Sequence, residues 1–381
     1  MSKLPTELLD DILSLLPTKP LVRFQCVSKR WYALINGAKF IKKHLARSIH
    51  ISQERILVVK ERDFDRPQSY FSVPFPEDDR FGSAVKIHQP LPDPEGCTKI
   101  VGYCNGLVCI QDLEEEIVIW NPLIRKYKKL PFEPIQKPSG FNEYCLPQFA
   151  FGHDPINDDY MVFRVVEFYK TNEVPSAFEV KAYSLRAHSW RRVEDEWPYE
   201  KSYICSNPEA LSSASLNGIL HWLVTPVTDG VHLSQTLVGF DLATEKFRVY
   251  TLPVQSDCNA MTRMALEVWG GRILLCVCKD VSMGFNEVWV MKEYGVASSW
   301  TRLYTIVHGE VPWNFNHCKP LVISKDGNKV LMEHDSKHLF WYDIRKKSSR
   351  RVKIQGMPGL FQTVTCVGSL VLLHGYNCDS I

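Results

Sequence analysis

The feature that most constrains this chain is a unit that recurs after residue 50. Each copy has a turn, a strand, a second strand ending in an aromatic residue followed by Asn or Asp, a polar turn and a further strand. Clear copies are NGLVCIQDLEEEIVIWNPLIRKYKKLP at 105–131, NGILHWLVTPVTDGVHLSQTLVGFDLATEKFRVYTLP at 217–253 and DGNKVLMEHDSKHLFWYDIRKKSSRRVKI at 326–354. Weaker copies place further polar turns near 184 and 291. A period of about 50 residues with four short strands is typical of a β-propeller blade.

The two ends of this region predict one composite blade. RILVVKER (55–62) and SYFSVPF (69–75) supply two strands before the first full unit, and FQTVTCV (361–367) and SLVLLHG (369–375) supply two after the last. Pairing them would remove exposed sheet edges. With five internal units we predict six blades, and five or seven fit the pattern if strand boundaries shift by a few residues. The Pro-rich and charged stretch 76–96 predicts a long loop.

Residues 1–50 have a helical pattern instead. The first predicted helix carries a wide apolar stripe: Leu8, Leu9, Ile12, Leu13, Leu15 and Leu16. Pro17 ends it, and Thr18 and Ser28 are candidate caps of two further helices before a fourth, AKFIKKHL. A unit this small leaves apolar side chains that something else must cover. The rest of the chain or a partner protein could cover them, and periodicity does not decide between the two.

Composition favours a protein of the cytosol or the nucleus. The 12 cysteines form no CxxC pair and have no zinc-ligand spacing, so we interpret them as small buried side chains in a reducing compartment. No apolar run approaches the length of a membrane span. Residues 1–50 hold nine Lys and Arg against three Asp and Glu, but these basic residues flank an apolar face. We interpret them as a solvated rim, and predict neither nucleic acid nor membrane as a partner.

The run LPTELLDDILSLLPTKPLVRFQCVSKRWYALI (4–35) resembles an F-box closely, in both the order and the spacing of its motif positions. Leu15 and Gln25 depart from the family pattern, and neither removes an apolar position. The resemblance implies docking on a Skp-type adaptor, which links family members to a cullin and a RING subunit. Carried over position by position, it implies these adaptor contacts: Leu4, Pro5, Leu8, Ile12, Leu16, Pro17, Leu21, Val27 and Trp31.

The later region is similar to the F-box-associated domain of plant F-box proteins. The similarity rests on GYCNGLVCI with IWNPLIRKYKKLP, on FAFGHDPINDDYMVFRV and on the SLNGILHWL unit. The expected fold is therefore α+β as two modules, an all-α F-box at 1–48 and an all-β propeller at 51–381. Within that plant family, members act as substrate receptors of SCF (Skp–cullin–F-box) ubiquitin ligases, and some act in pollen self-incompatibility or immune-receptor turnover.

No motif in the sequence predicts catalysis or a cofactor. The nucleophile elbow, the P-loop, HExxH and a strand-linked GxGxxG are all missing. His334 and His338 fit a hairpin surface better than a metal site, and His308, His317 and Cys318 lack a second ligand pair. Six tryptophans recur at similar strand positions, where packing between blades is favoured over a ligand cage: Trp120, Trp190, Trp222, Trp289, Trp300 and Trp341.

Substrate capture is expected at loops on one face of the propeller, because propellers bind through the loops at one end of the channel. Aromatic residues in predicted loops are the candidates: Trp313, Phe315 and Tyr376. The predicted function is a non-catalytic receptor that brings an unidentified protein to a ubiquitin ligase. Two alternatives stay open, namely a ligand-binding or hydrolytic propeller that the F-box only localises, and an adaptor-bound scaffold or decoy without ligase output.

Overall fold

The computed structural model describes residues 5–51, 55–62, 68–76, 80–91, 97–145, 147–171, 173–204, 213–254, 262–279, 284–307, 309–312, 318–324, 326–373 and 379–380. Its first part consists of four short helices: α1 (Thr6–Leu13), α2 (Thr18–Phe24), α3 (Lys29–Ile35) and α4 (Ala38–Ile51). None of the helices in the described ranges has the length and apolar character that crossing a membrane requires.

Two predicted caps have different outcomes. The Trp31 backbone N–H donates to Ser28 Oγ at 3.1 Å, which confirms Ser28 as the cap of α3. Thr18 is wrong as a cap of α2, because it is the first helical residue and is fully buried. Pro17 occupies the capping position, with a φ of −60° that already suits entry into a helix.

Six antiparallel sheets follow the helices and form a six-bladed β-propeller. Blade 1 begins with β1 (Arg55–Glu61), β2 (Tyr70–Pro74) and β3 (Val85–Ile87). Blade 2 consists of β4 (Thr98–Cys104), β5 (Leu107–Asp112), β6 (Ile117–Asn121) and β7 (Lys126–Lys129). Blade 3 consists of β8 (Glu143–Tyr144), β9 (Gln148–Asp154), β10 (Asp159–Tyr169), β11 (Ala177–Ser184) and β12 (Ser189–Arg192).

Blade 4 consists of β13 (Ser202–Ile204), β14 (Ala214–Leu216), β15 (Ile219–Thr228), β16 (Val231–His232), β17 (Thr236–Asp241) and β18 (Lys246–Tyr250). Blade 5 consists of β19 (Arg263–Trp269), β20 (Arg272–Lys279), β21 (Phe285–Met291) and β22 (Trp300–Val307), with a 3₁₀ turn at Ala297–Ser299. Blade 6 consists of β23 (Cys318–Ile323), β24 (Lys329–His334), β25 (His338–Asp343) and β26 (Ser348–Val352). Two C-terminal strands remain: β27 (Phe361–Val367) joins blade 1, and β28 (Asp379–Ser380) pairs with β7.

The composite blade is confirmed, but its fourth strand is not the expected one. Strand β27 pairs with β1 along its whole length, from Arg55 opposite Val367 to Glu61 opposite Phe361. The second C-terminal strand predicted at 369–375 is wrong for residues 369–373, which form no strand. Its place is taken by β3, which lies inside the stretch expected to be a loop and pairs with β2. Residues 369–371 are instead held by the side chain of Asn121.

Contacts within the chain define two compact units. The first comprises residues 1–130 and 354–381, and so contains α1–α4, blade 1 and blade 2. The second comprises residues 131–353 and contains blades 3 to 6. The predicted boundaries of 1–48 and 51–381 divide the chain differently and stay a prediction.

Aromatic packing between neighbouring blades supports the interpretation of the repeated tryptophans. In the first unit, fully buried Trp120 meets Tyr70 edge to face, with ring centroids 5.7 Å apart. In the second unit, fully buried Trp222 lies 5.2 Å from Phe163. Trp300 and Trp341 are also buried, and Trp190 and Trp289 are half-buried. The Trp120 and Trp222 rings therefore fill the spaces between neighbouring sheets.

Candidate functional site

Helix α1 presents apolar side chains on two faces. Leu9 and Leu13, four residues apart, are buried in the helical cluster. Leu8 and Ile12 have the same spacing one position earlier, and each is 51% exposed. Leu15, in the turn after the helix, extends this second stripe and is 63% exposed. Helical geometry thus places Leu8 and Ile12 along one outer face of α1, and the following turn adds Leu15, while the inner face of the helix is already packed.

The corner between α2 and α3 adds to this exposed surface. Val27 is 60% exposed and Tyr32 is 54% exposed. Trp31 is half-buried because its ring packs edge to face on Phe24, with centroids 5.4 Å apart. We call nine exposed or half-buried apolar residues in and next to α1 and at the corner between α2 and α3 the docking surface; it comprises Pro5, Leu8, Ile12, Leu15, Leu16, Pro17, Val27, Trp31 and Tyr32.

The structure divides the predicted adaptor contacts into three groups. Seven of them belong to the docking surface: Pro5, Leu8, Ile12, Leu16, Pro17, Val27 and Trp31. Leu21 is fully buried among the helices, so a direct contact through its side chain does not fit this structure. Leu4 lies outside the described residues.

Leu15 and Tyr32 are two further residues of the docking surface. Both were missing from the set of contacts implied by the family pattern. The signal for Leu15 is its position seven residues after Leu8, which returns it to the same face of a helix.

Polar contacts hold α1 in a fixed orientation on α4. Lys43 pairs with Asp10 and also with Asp11, at 2.6 Å from Asp11 Oδ1. Hydrogen bonds from both carboxylates raise the pKa of Lys43, and Lys43 lowers the pKa of Asp11. The next residue of α4, His44, donates from Nε2 to the Leu16 carbonyl oxygen at 2.9 Å. These contacts lie beside the buried stripe and leave the exposed stripe uncovered.

The helices do not complete their own hydrophobic core. Their cluster includes Leu370, only 2% exposed, from the segment after β27. Half-buried Ile124, from the turn between β6 and β7, packs against the same cluster. The sequence left open whether the rest of the chain or a partner covers the apolar helices, and the answer differs by face. The chain covers the face of Leu9 and Leu13 and partly covers Leu16 and Trp31. Among the described residues, Leu8, Ile12, Leu15 and Val27 stay mostly exposed.

The predicted substrate face lies outside the described part of the chain. Trp313, Phe315 and Tyr376 all fall there, as do His308 and His317, so their roles remain predictions. Cys318 is described and is buried on β23. His338 is partly exposed as expected for a hairpin surface, but His334 is buried, and the two rings stack 6.0 Å apart. Within the described ranges, no group of three or more His, Cys, Asp or Glu side chains could hold a metal ion.

The described cysteines are free, and five of them are buried: Cys109, Cys276, Cys278, Cys318 and Cys366. Burial raises the pKa of Cys278 to about 11 and that of Cys366 to about 12. Such thiols stay protonated near neutral pH and are poor nucleophiles. These five agree with the prediction of buried core side chains. The prediction is wrong for the other four described cysteines, because Cys26 is exposed and Cys97, Cys104 and Cys145 are half-buried.

Comparison with known proteins finds similarity over nearly the whole chain. The family described as "F-box domain" matches residues 1–43, and the family described as "F-box associated beta propeller domain" matches residues 55–373. The F-box protein CPR1 of Arabidopsis thaliana is 29% identical over 390 aligned residues, which cover 98% of this chain and 89% of that protein. The F-box/kelch-repeat protein At3g23880 of the same plant is 28% identical over 337 residues, covering 87% of this chain and 86% of that protein.

Proposed function

Because the chain belongs to the plant F-box proteins that carry an F-box-associated β-propeller, we propose that it is a substrate-recognition subunit of an SCF-type ubiquitin ligase. The family supports an SCF substrate-recognition role in general. The finer proposal is that the docking surface binds a Skp-type adaptor, and through it a cullin and a RING subunit. The propeller captures the protein that is to be ubiquitinated.

The observation that carries the proposal is the uncovered second stripe of α1. A helix that needed only to pack on its own chain would carry polar residues at positions 8, 12 and 15, since its inner face is already filled. Leu8, Ile12 and Leu15 are instead aliphatic and largely exposed. Exposed apolar residues that form a continuous patch mark surfaces that another protein covers.

The proposed contribution to ubiquitin transfer is proximity and not bond chemistry. Members of the family are typically receptor subunits, and we infer the same non-catalytic role for this chain. Holding the target and the ubiquitin-loaded conjugating enzyme in one complex raises the effective concentration of the target at that enzyme. Trp313, Phe315 and Tyr376 remain the proposed substrate contacts, and the cytoplasm or the nucleus remains the proposed location.

Adaptor binding tests the first half of the proposal. Burying one leucine or isoleucine side chain contributes about 1.5–3 kcal/mol, so the double variant Leu8→Ala with Ile12→Ala should weaken adaptor binding by about a hundredfold or more. Isothermal titration calorimetry of the purified full chain with a Skp-type adaptor measures this change in the dissociation constant. Both side chains are half exposed, so the double variant should remain folded.

A matched control uses the same two residue types elsewhere. Leu113, in the β5–β6 loop, is 65% exposed, and Ile156, in the β9–β10 turn, is 77% exposed. Leu113→Ala with Ile156→Ala should leave adaptor affinity unchanged. Equal adaptor affinity for the wild type and for the Leu8 and Ile12 double variant would reject the docking assignment.

The alternative of an adaptor-bound scaffold without ligase output gives a different result in a reconstituted reaction. A scaffold binds the adaptor and its partner protein, but the partner gains no ubiquitin when cullin, RING subunit and conjugating enzyme are supplied. Ubiquitin on the captured protein, lost in the Leu8 and Ile12 double variant, supports the receptor role.

A further inference from the structure

Asn121 occupies a position where two other blades carry aspartate. It is the last residue of β6, as Asp241 is of β17 and Asp343 is of β25. Both carboxylates accept from the turn that follows: Asp241 Oδ1 accepts the N–H groups of residues 243 and 244, each at 3.0 Å, and Asp343 Oδ1 accepts those of residues 345 and 346, at 3.1 and 2.8 Å. Asn121 Oδ1 does the same for the Leu123 N–H at 3.1 Å. An aspartate would therefore satisfy the turn after β6 equally well.

What asparagine adds is a hydrogen-bond donor. Asn121 Nδ2 donates to the Ser369 carbonyl oxygen at 3.0 Å and to the Val371 carbonyl oxygen at 3.1 Å. Asn121 and Ser369 are fully buried, so neither carbonyl can exchange this donor for water without opening the structure. An ionised carboxylate has no proton to donate and would repel both oxygens.

Leu370 lies between the two carbonyls that Asn121 holds. Its side chain enters the cluster formed by Leu9, Leu13, Leu21, Ile35 and Phe40 of the helices. The turn after β4 lies close against the same segment, since a Cβ on Gly106 would come within 2.3 Å of Ser369 Cβ. Gly106 also has a φ of +80°, which a residue with a side chain rarely adopts.

We propose that residues 369–371, which we call the clamp segment, fix the orientation of α1–α4 on blade 2, with Asn121 as the positioning residue. Asn121 anchors the backbone of the clamp segment to the propeller, and Leu370 anchors the helices to the clamp segment. The consequence for ubiquitin transfer rests on the proposed function, because a receptor must present its target at a set distance from the conjugating enzyme. The orientation itself does not depend on that function.

Asn121→Asp is the sharpest test, because it keeps the turn acceptor and replaces the donor with an oxygen that repels both carbonyl groups. The reverse exchange at the equivalent position, Asp343→Asn, is the matched control, since Asp343 caps its own turn without holding the clamp segment. Leu370→Ala breaks the second anchor and carries the test if Asn121→Asp fails to fold.

The distance between the helices and blade 2 is measured with a pair of fluorescent dyes. The dyes are attached to noncanonical residues at position 46 in α4 and position 114 in the β5–β6 loop, which are both exposed, so that the 12 cysteines stay unlabelled.

Single-molecule Förster resonance energy transfer on the full chain then reports the distance between α4 and blade 2. We expect one narrow distribution of distances for the wild type and for Asp343→Asn, and a broader or shifted distribution for Asn121→Asp and Leu370→Ala.

Adaptor affinity should stay within about twofold of the wild type in all variants, because none alters the docking surface. An unchanged distribution in both Asn121→Asp and Leu370→Ala would overturn the proposal, as would equal broadening in Asp343→Asn. A wild-type chain that fails to bind the adaptor would count against the proposed function but leave this distance measurement intact.

Discussion

At the scale of single residues, neighbouring leucines in the same helix have opposite roles. Leu8 and Leu9 differ by one position, about 100° around α1, and this rotation takes the side chain from half exposed to buried. The family pattern alone treats the motif positions as one set of contacts. It therefore included Leu21, whose side chain instead fills the core under α2, and it omitted exposed Leu15. Which apolar residues face outward depends on how the four helices pack, and the periodicity of a single helix does not reveal that packing.

Glu167 shows how burial couples a single residue to stability. It lies on β10, is 4% exposed, and accepts a hydrogen bond from the Ile204 N–H at 2.8 Å. Burial raises its pKa to about 7, and the bond from Ile204 only partly offsets this. In the pH range between the ordinary glutamate pKa of about 4.5 and 7, the folded state binds the proton more tightly than the unfolded state. The protonated carboxyl of Glu167 therefore stabilises the folded state at low pH, and this stabilisation is lost as the pH rises through 7.

Glu167→Gln should remove that dependence while keeping an acceptor for Ile204. The wild type should lose up to about 3 kcal/mol more stability than the variant between about pH 4 and pH 8. Thermal unfolding at both pH values measures the difference in melting temperature. Glu173→Gln, at an exposed site near the end of the same hairpin, is the control and should match the wild type. Parallel pH profiles for the wild type and Glu167→Gln would contradict the assignment.

At the scale of elements, local sequence predicted the hairpins better than it predicted the pairing of distant strands. Asn105–Gly106 and Asn217–Gly218 both have positive φ values at both residues, as a two-residue hairpin turn requires, and both were visible as Asn-Gly pairs. The polar turns after Asn121, Asp241 and Asp343 also fall where the repeat placed them. Strand β3 was missed because it has only three residues and lies within a charged, Pro-rich stretch. Residues 369–371 read as a strand by composition, but Asn121 binds their backbone, and this long-range contact has no local signal.

Truncation tests the closing role of β27. Ending the chain after Pro358 removes the strand that pairs with β1, from Arg55 to Glu61, and leaves β1 as an unpaired edge. Such edges promote aggregation, so this form should aggregate or unfold at a lower temperature. The control ends after Leu373 and retains both β27 and the clamp segment. Size-exclusion chromatography should show the longer form as soluble, and a soluble, cooperatively folded 1–358 form would contradict the pairing.

At the scale of the whole molecule, we propose two activities in one chain. The docking surface lies in and around α1–α3, and we propose that the propeller that follows captures the substrate. The sequence predicted this division through its resemblance to F-box proteins, and the order of four helices and six blades confirms the expected fold. The sequence could not show that Leu370 and Ile124 complete the helical core, because residues so far apart in the chain share no local pattern. Deleting the helices would expose these side chains, so point variants of the docking surface separate the two activities more cleanly than a deletion.

The most direct test of the receptor role compares the wild type with the Leu8→Ala and Ile12→Ala double variant in plant cells. Each form is purified while the proteasome and cullin activity are blocked, and captured proteins are identified by mass spectrometry. Ubiquitin remnants on those same proteins are then quantified with cullin activity restored. We expect both forms to capture the same proteins, only the wild type to recover the Skp-type adaptor, and the remnants on the captured proteins to fall in the double variant. Equal remnants on those proteins with both forms would contradict the receptor role.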